Sequence, residues 1–155
     1  MKYLKLILII LLLITSAMMQ SYSKTFTNPQ GKVYAFIHDY YEWNLSATQS
    51  LSEDNNFSPK NEYDKLLDKC CTKRSDRIGY DSYGQNSLHI PESEKIVSYE
   101  NINGSVVVKT STPSRFSYDE DEKKYFEYHL CFYKGEYRIS EVYEISDSGV
   151  KRKTL

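Results

Sequence analysis

Neither sign of charge dominates this 155-residue chain: 20 Lys and Arg stand against 21 Asp and Glu, a formal net charge of −1. A surface so balanced has no field to gather nucleic acid or acidic lipid, and neither is expected as a partner. Cysteine is scarce too. With His38, His89 and His129 scattered, Cys70, Cys71 and Cys131 lack the close four-ligand spacing of a zinc site. Four prolines and six glycines nowhere gather into a linker, so the chain is read as one domain. Nucleophile elbows, phosphate loops and metal-ligand spacings are missing as well, so no catalytic residue, metal or cofactor is expected. Tryptophan occurs once, against 15 tyrosines. Tyrosine keeps a hydroxyl tip that wants water or a partner, so this excess points to half-buried surfaces.

Long apolar runs are absent but for one. Met1–Lys5 carries two lysines, Leu6–Ile14 is unbroken apolar sequence, and Thr15–Ser23 turns small and polar. That order is expected of a secretory signal peptide over residues 1–23, cut after Ala17 or after Ser23. The run is shorter than the roughly 20 residues a spanning helix needs, unless Ala17–Met19 extend it into an uncleaved anchor. The mature chain is therefore expected to be periplasmic or secreted, touching a membrane only through this segment. In an oxidising compartment, the odd set of cysteines leaves two states open: one disulfide from the adjacent pair to Cys131, or three thiols.

What is there reads as helices followed by strands. Asn28-Pro29 is a helix start, and Val33, Phe36, Ile37, Tyr40 and Tyr41 recur at three- and four-residue steps. This predicts an amphipathic helix to about Ser50. Leu51–Asn61 reads as a loop, and Tyr63, Leu66, Leu67 and Cys70 predict a second helix with Cys71 on its flank. Arg74–His89 has no clear period and reads mostly as loop. Beyond Pro91, Asn103-Gly104 joins two strands and Lys134-Gly135-Glu136 joins two more. Phe126, Tyr128, Leu130 and Phe132 alternate onto one face, which Tyr137 and Ile139 continue, and Ser140-Glu141 leaves room for a bulge. The fold class is α+β, with N-terminal helices packed on a strongly curved, cone-like antiparallel sheet over residues 24–150. The basic tail 151–155 is expected to be frayed.

Gly135–Ile145, "GEYRISEVYEI", resembles the terminal strand of the nuclear-transport-factor-two-like superfamily. Val33–Leu45, "VYAFIHDYYEWNL", is similar to the first helix of its small exported members. The resemblance implies the cone fold and a place among bacterial envelope proteins or toxin-neutralising immunity proteins. The superfamily's usual third helix is not visible between Arg74 and His89.

Some cone-fold enzymes set a carboxylate against a tyrosine in the pocket, and His38, Asp39, Tyr40, Glu127 and His129 are the residues to weigh for such work. Alternation turns Glu127 and His129 away from the core strand face, and His38 and Asp39 fall on the helix's polar side. A solvated surface role follows for these four. Asp119–Lys124, "DEDEKK", lacks the glycine and ligand alternation of a calcium loop and reads as a solvated strand end. The outer face of the last hairpin mixes rings with charges, and Tyr125, Glu127, His129, Tyr133, Arg138 and Glu144 are the candidate partner-binding residues. Cys131 shares that face and is expected to stay unpaired. The expected function is a non-catalytic exported binding protein with a protein partner, a toxin in the immunity reading. The alternative is an envelope protein or enzyme that takes a small, apolar ligand in the cone. A homodimer is compatible with either.

Overall fold

The computed structural model describes residues 28–51, 57–74, 76–77, 83–84, 86–114, 122–146 and 148–155. The expected signal segment and Asp119–Asp121 lie outside them.

Helix α1 spans Pro29–Ser50; the Asn28 side chain caps it by accepting from the Gln30 N–H at 3.0 Å. Its buried stripe is Val33, Phe36, Ile37, Tyr40, Trp43, Asn44 and Ala47, with Lys32 buried beside it. Helix α2 spans Pro59–Cys70. It begins two residues before the expected loop ends, because Ser58 caps it and Pro59 is preset for the first turn. The Trp43 indole N–H donates to the Pro59 carbonyl at 2.8 Å, pinning the two helices together.

Five antiparallel strands follow in simple order: β1 Lys95–Ile102, β2 Ser105–Pro113, β3 Lys123–Tyr133, β4 Glu136–Ile145 and β5 Lys151–Lys153. The β1–β2 turn has φ of 52° at Asn103 and 82° at Gly104; the β3–β4 turn has 51° at Lys134 and 87° at Gly135. Two successive left-handed residues match the twist of the strands they join, which is why glycine stands second in each. Register slips once in β1, leaving Val97 as an extra residue, and once in β4, at Ser140, where a bulge was expected. Both bend the sheet around α1, making the α+β, cone-like layout.

The inner face carries Val106, Val108, Phe126, Tyr128, Leu130, Ile139 and Val142, all buried with Phe36, Ile37, Leu66 and Leu67 from the helices. Phe132 and Tyr137 share that strand face. Phe132 is nonetheless 59% exposed, although Tyr137 beside it packs against the core and Lys32 of α1 reaches Glu136 at the same turn.

The tail overturns its expectation. Lys151–Lys153 pairs with Tyr143–Ile145, the Thr154 N–H donates to the Val142 carbonyl at 2.8 Å, and Leu155 lies 3% exposed in the core. Lys151–Lys153 looks solvated in the sequence, yet Glu127, Glu141 and Glu144 lie within reach of its three cations. Leu155→Ala should therefore lower unfolding stability by about 2–5 kcal/mol. A loss below about 1 kcal/mol in urea titration would mean the tail is not packed.

Candidate functional site

The interior holds a polar cluster. After Ile90, the turn through Pro91 brings the Glu94 N–H onto the Ile90 carbonyl at 2.9 Å, so that His89 and Glu94 face each other. One Glu94 carboxylate oxygen accepts from the Tyr128 hydroxyl at 2.7 Å and the Thr110 hydroxyl at 2.5 Å. The other lies 3.0 Å from His89 Nδ1, which is also 3.0 Å from the Tyr128 hydroxyl. The tyrosine's only proton goes to Glu94, so Nδ1 is the protonated nitrogen that donates to the carboxylate. Phe36, Tyr40, Phe126 and Tyr128 surround the imidazole, with centroids 5.7, 4.9, 4.7 and 5.8 Å away.

Burial raises the Glu94 pKa, and charge attraction to His89 with hydrogen bonds from His89, Thr110 and Tyr128 outweighs it; the net shift is downward. Tyr128 moves well up, by burial and by Glu94's charge. The carboxyl is thus a fixed anion and the phenol a fixed donor. None of the four residues is more than 2% exposed. These are acid–base residue types, but each polar contact is made to another member of the cluster. Its chemistry is that of a latch between the 89–94 turn, β2 and β3.

The sequence reading placed Tyr128 in the core and missed the latch. One signal was available: Thr110 and Thr112 interrupt the apolar face begun by Val106 and Val108, and a buried hydroxyl asks for a partner.

The outer face is a second cluster. Tyr125, Glu127, His129 and Tyr133 all lie on it along β3; Tyr125 is 39% and Tyr133 50% exposed. The two rings stand eight positions apart, about 26 Å of strand. Glu127 departs from its expected solvated role. It is only 4% exposed, because Lys109 at 3.3 Å, Lys151 at 2.6 Å and His129 at 3.4 Å close over it from three strands. Burial pushes its carboxyl up, and hydrogen bonds from Lys151, His129 and Lys109 carry it below the usual range. Tyr143 packs beside His129 at 5.1 Å and donates to Glu141, which also pairs with Arg74 at 2.8 Å.

The other two candidates do not join this cluster. Arg138 starts on the same face but donates to the carbonyls of Asp68 at 2.9 Å and Cys71 at 3.0 Å, capping the end of α2. Glu144 lies on the opposite face, in register with Phe126, and pairs with Lys124 and Arg152. The extra residue at Ser140 reverses alternation along β4, and that reversal takes Glu144 off the outer face.

Of His38, Asp39, Tyr40, Glu127 and His129, the fold joins Glu127 to His129 at 3.4 Å on the outer face and leaves the three helix residues apart from them. His38 is exposed, Asp39 pairs with Lys69 at 2.7 Å, and Tyr40 is buried in the core away from Glu127 and His129. All three cysteines are free: Cys70 and Cys71 are buried, the latter not on a flank, while Cys131 stands on the outer face opposite Arg138. Cys71 leaves the helix in extended conformation and bridges to Ile139, which draws it under the sheet. Burial, then the charge of Asp39, pushes the Cys70 thiol to about 11, and burial pushes Cys71 to about 12. Both are neutral and poor nucleophiles. Among the described residues, no group of three or more His, Cys, Asp or Glu side chains is placed to hold a metal ion, and no helix is long and apolar enough to cross a membrane.

No family model matches the chain, and neither a curated protein nor a solved structure matches it.

Proposed function

We propose that this chain is an exported, non-catalytic protein that binds another protein with the outer face of its sheet, and that its concrete role is toxin neutralisation of the immunity type. The observation that carries the reading is the organisation around Glu127. One buried carboxylate holds Lys109, Lys151 and His129 in place between two exposed tyrosines on β3. Charges already held in position lose little freedom on docking, and flanking tyrosines give wide contact at low entropic cost. The lysine side chains remain 39% and 49% exposed, so they can meet acidic groups on a partner. The toxin-directed role rests on the resemblance of Val33–Leu45 and Gly135–Ile145 to exported cone-fold members. Export rests on the pattern of residues 1–23.

The alternative, a small ligand or a reaction in the cone, draws on the residues of the Glu94 latch. Their mutual hydrogen bonds and burial favour the binding reading instead.

The test is calorimetric titration with the product of a toxin-like reading frame immediately upstream. Tyr125→Ala and Tyr133→Ala should each weaken binding about tenfold or more, with the melting temperature unchanged. Absence of binding by the wild-type chain would remove the immunity role. Full-strength binding by both variants would remove the outer face.

A further inference from the structure

The sheet's two margins are treated differently. Along β4, β5 covers Tyr143–Ile145, and the N–H groups of Thr154 and Thr72 donate to the carbonyls of Val142 and Ile139. At the other margin, β1 runs for eight residues with no strand beyond it among the described residues. Val97, Tyr99 and Ile102 on it are 52%, 57% and 49% exposed. A long edge with apolar side chains and unused main-chain groups is a template for another strand.

We propose that β1 pairs antiparallel with β1 of a second copy, in the register that sets Lys95 opposite Glu100. The bulge dictates the choice. Register with β2 places Lys95, Ser98, Glu100 and Ile102 on the outer face and Ile96, Tyr99 and Asn101 on the inner face, because the extra residue at Val97 reverses alternation. In an antiparallel pair, residues directly opposite must share a face. Setting Lys95 against Glu100 also sets Ile96 against Tyr99 and brings the bulges of the two copies together, so both faces match. Each pair occurs twice about the twofold axis. The outer face gains two opposite-charge pairs and the inner face two Ile–Tyr contacts. Registers confined to the strand after the bulge are shorter, and the longest of them sets Glu100 against its own copy. Lys95 and Glu100 are both exposed, and neither has an ion-pair partner among the described residues.

This edge lies apart from the docking face proposed above. Pairing would join two five-stranded sheets into one and set both outer faces on the same side.

Sedimentation of the full chain over rising concentration, up to roughly millimolar, tests this pairing. The wild-type chain should form dimers. Lys95→Glu and Glu100→Lys should each raise the dimer dissociation constant on the order of tenfold, since each homodimer then opposes like charges twice. An equimolar mixture of the two variants should recover wild-type affinity, because both heterodimer pairs are again opposite in sign. Far-ultraviolet circular dichroism should show both variants folded as the wild type. A chain that stays monomeric, a dimer indifferent to both changes, or weakened variants that do not complement each other would overturn the proposal.

Discussion

Glu94→Ala should lower unfolding stability by about 3–5 kcal/mol, more than most single changes in this chain. The carboxylate is 0% exposed and accepts from His89, Thr110 and Tyr128, which are themselves 2%, 0% and 0% exposed. Truncation removes the shared acceptor of three donors; the Tyr128 hydroxyl and His89 Nδ1, 3.0 Å apart, keep only each other, and none of the three can turn to water. Glu94→Gln keeps the shape but turns an N–H2 group toward either His89 or the two hydroxyls, so an intermediate loss is expected. Acid titration supplies an independent readout. Folding lowers the Glu94 pKa, so its contribution is complete above the ordinary value of 4.5 and is lost as pH falls through the folded value. Stability of the wild-type chain should therefore fall below that pH more steeply than that of Glu94→Gln. Equal acid profiles, or a loss below about 1 kcal/mol in Glu94→Ala, would mean that the carboxyl is not the anion at the centre of this cluster.

Phe126→Ala should be of similar size, about 3–5 kcal/mol, for a different reason. The ring is 0% exposed and packs 4.7 Å from the His89 imidazole, so its removal opens a cavity against a polar cluster held in place by its own hydrogen bonds. Phe132, six residues along on the same face, is the control. It is 59% exposed and touches Tyr137 edge-on at 5.1 Å, so Phe132→Ala should cost less than about 1 kcal/mol. Chemical denaturation of the two variants side by side checks both numbers. Comparable losses would show that Phe132 is packed rather than exposed.

Those two phenylalanines mark where local sequence stops being informative. Alternation puts Phe126 and Phe132 on one face, and it is right about the face. Whether a ring on that face is buried depends on how far α1 reaches over the sheet, and no spacing within β3 reports that. Glu127 is the converse case. Its outward direction was legible, but its burial was not, because the cations that close over it come from residues 18 earlier and 24 later in the chain.

By itself the sequence determined the two helices, the first four strands and the faces of the helices and of β3. The apolar stripes of α1 and α2, the Asn28 cap, the Asn103-Gly104 and Lys134-Gly135 turns and the space for a bulge at Ser140 all act over one to four neighbouring residues, where backbone sterics and side-chain direction are decided. Tertiary structure alone decided the rest. It folded Leu155 into the core, joined His89 to Glu94, Thr110 and Tyr128, and moved Glu144 to the other side of the sheet. Each of these turns on hydrogen bonding or burial against a distant element. Such contacts form only when chain closure brings remote residues together, and a local pattern carries no record of which remote residue will arrive.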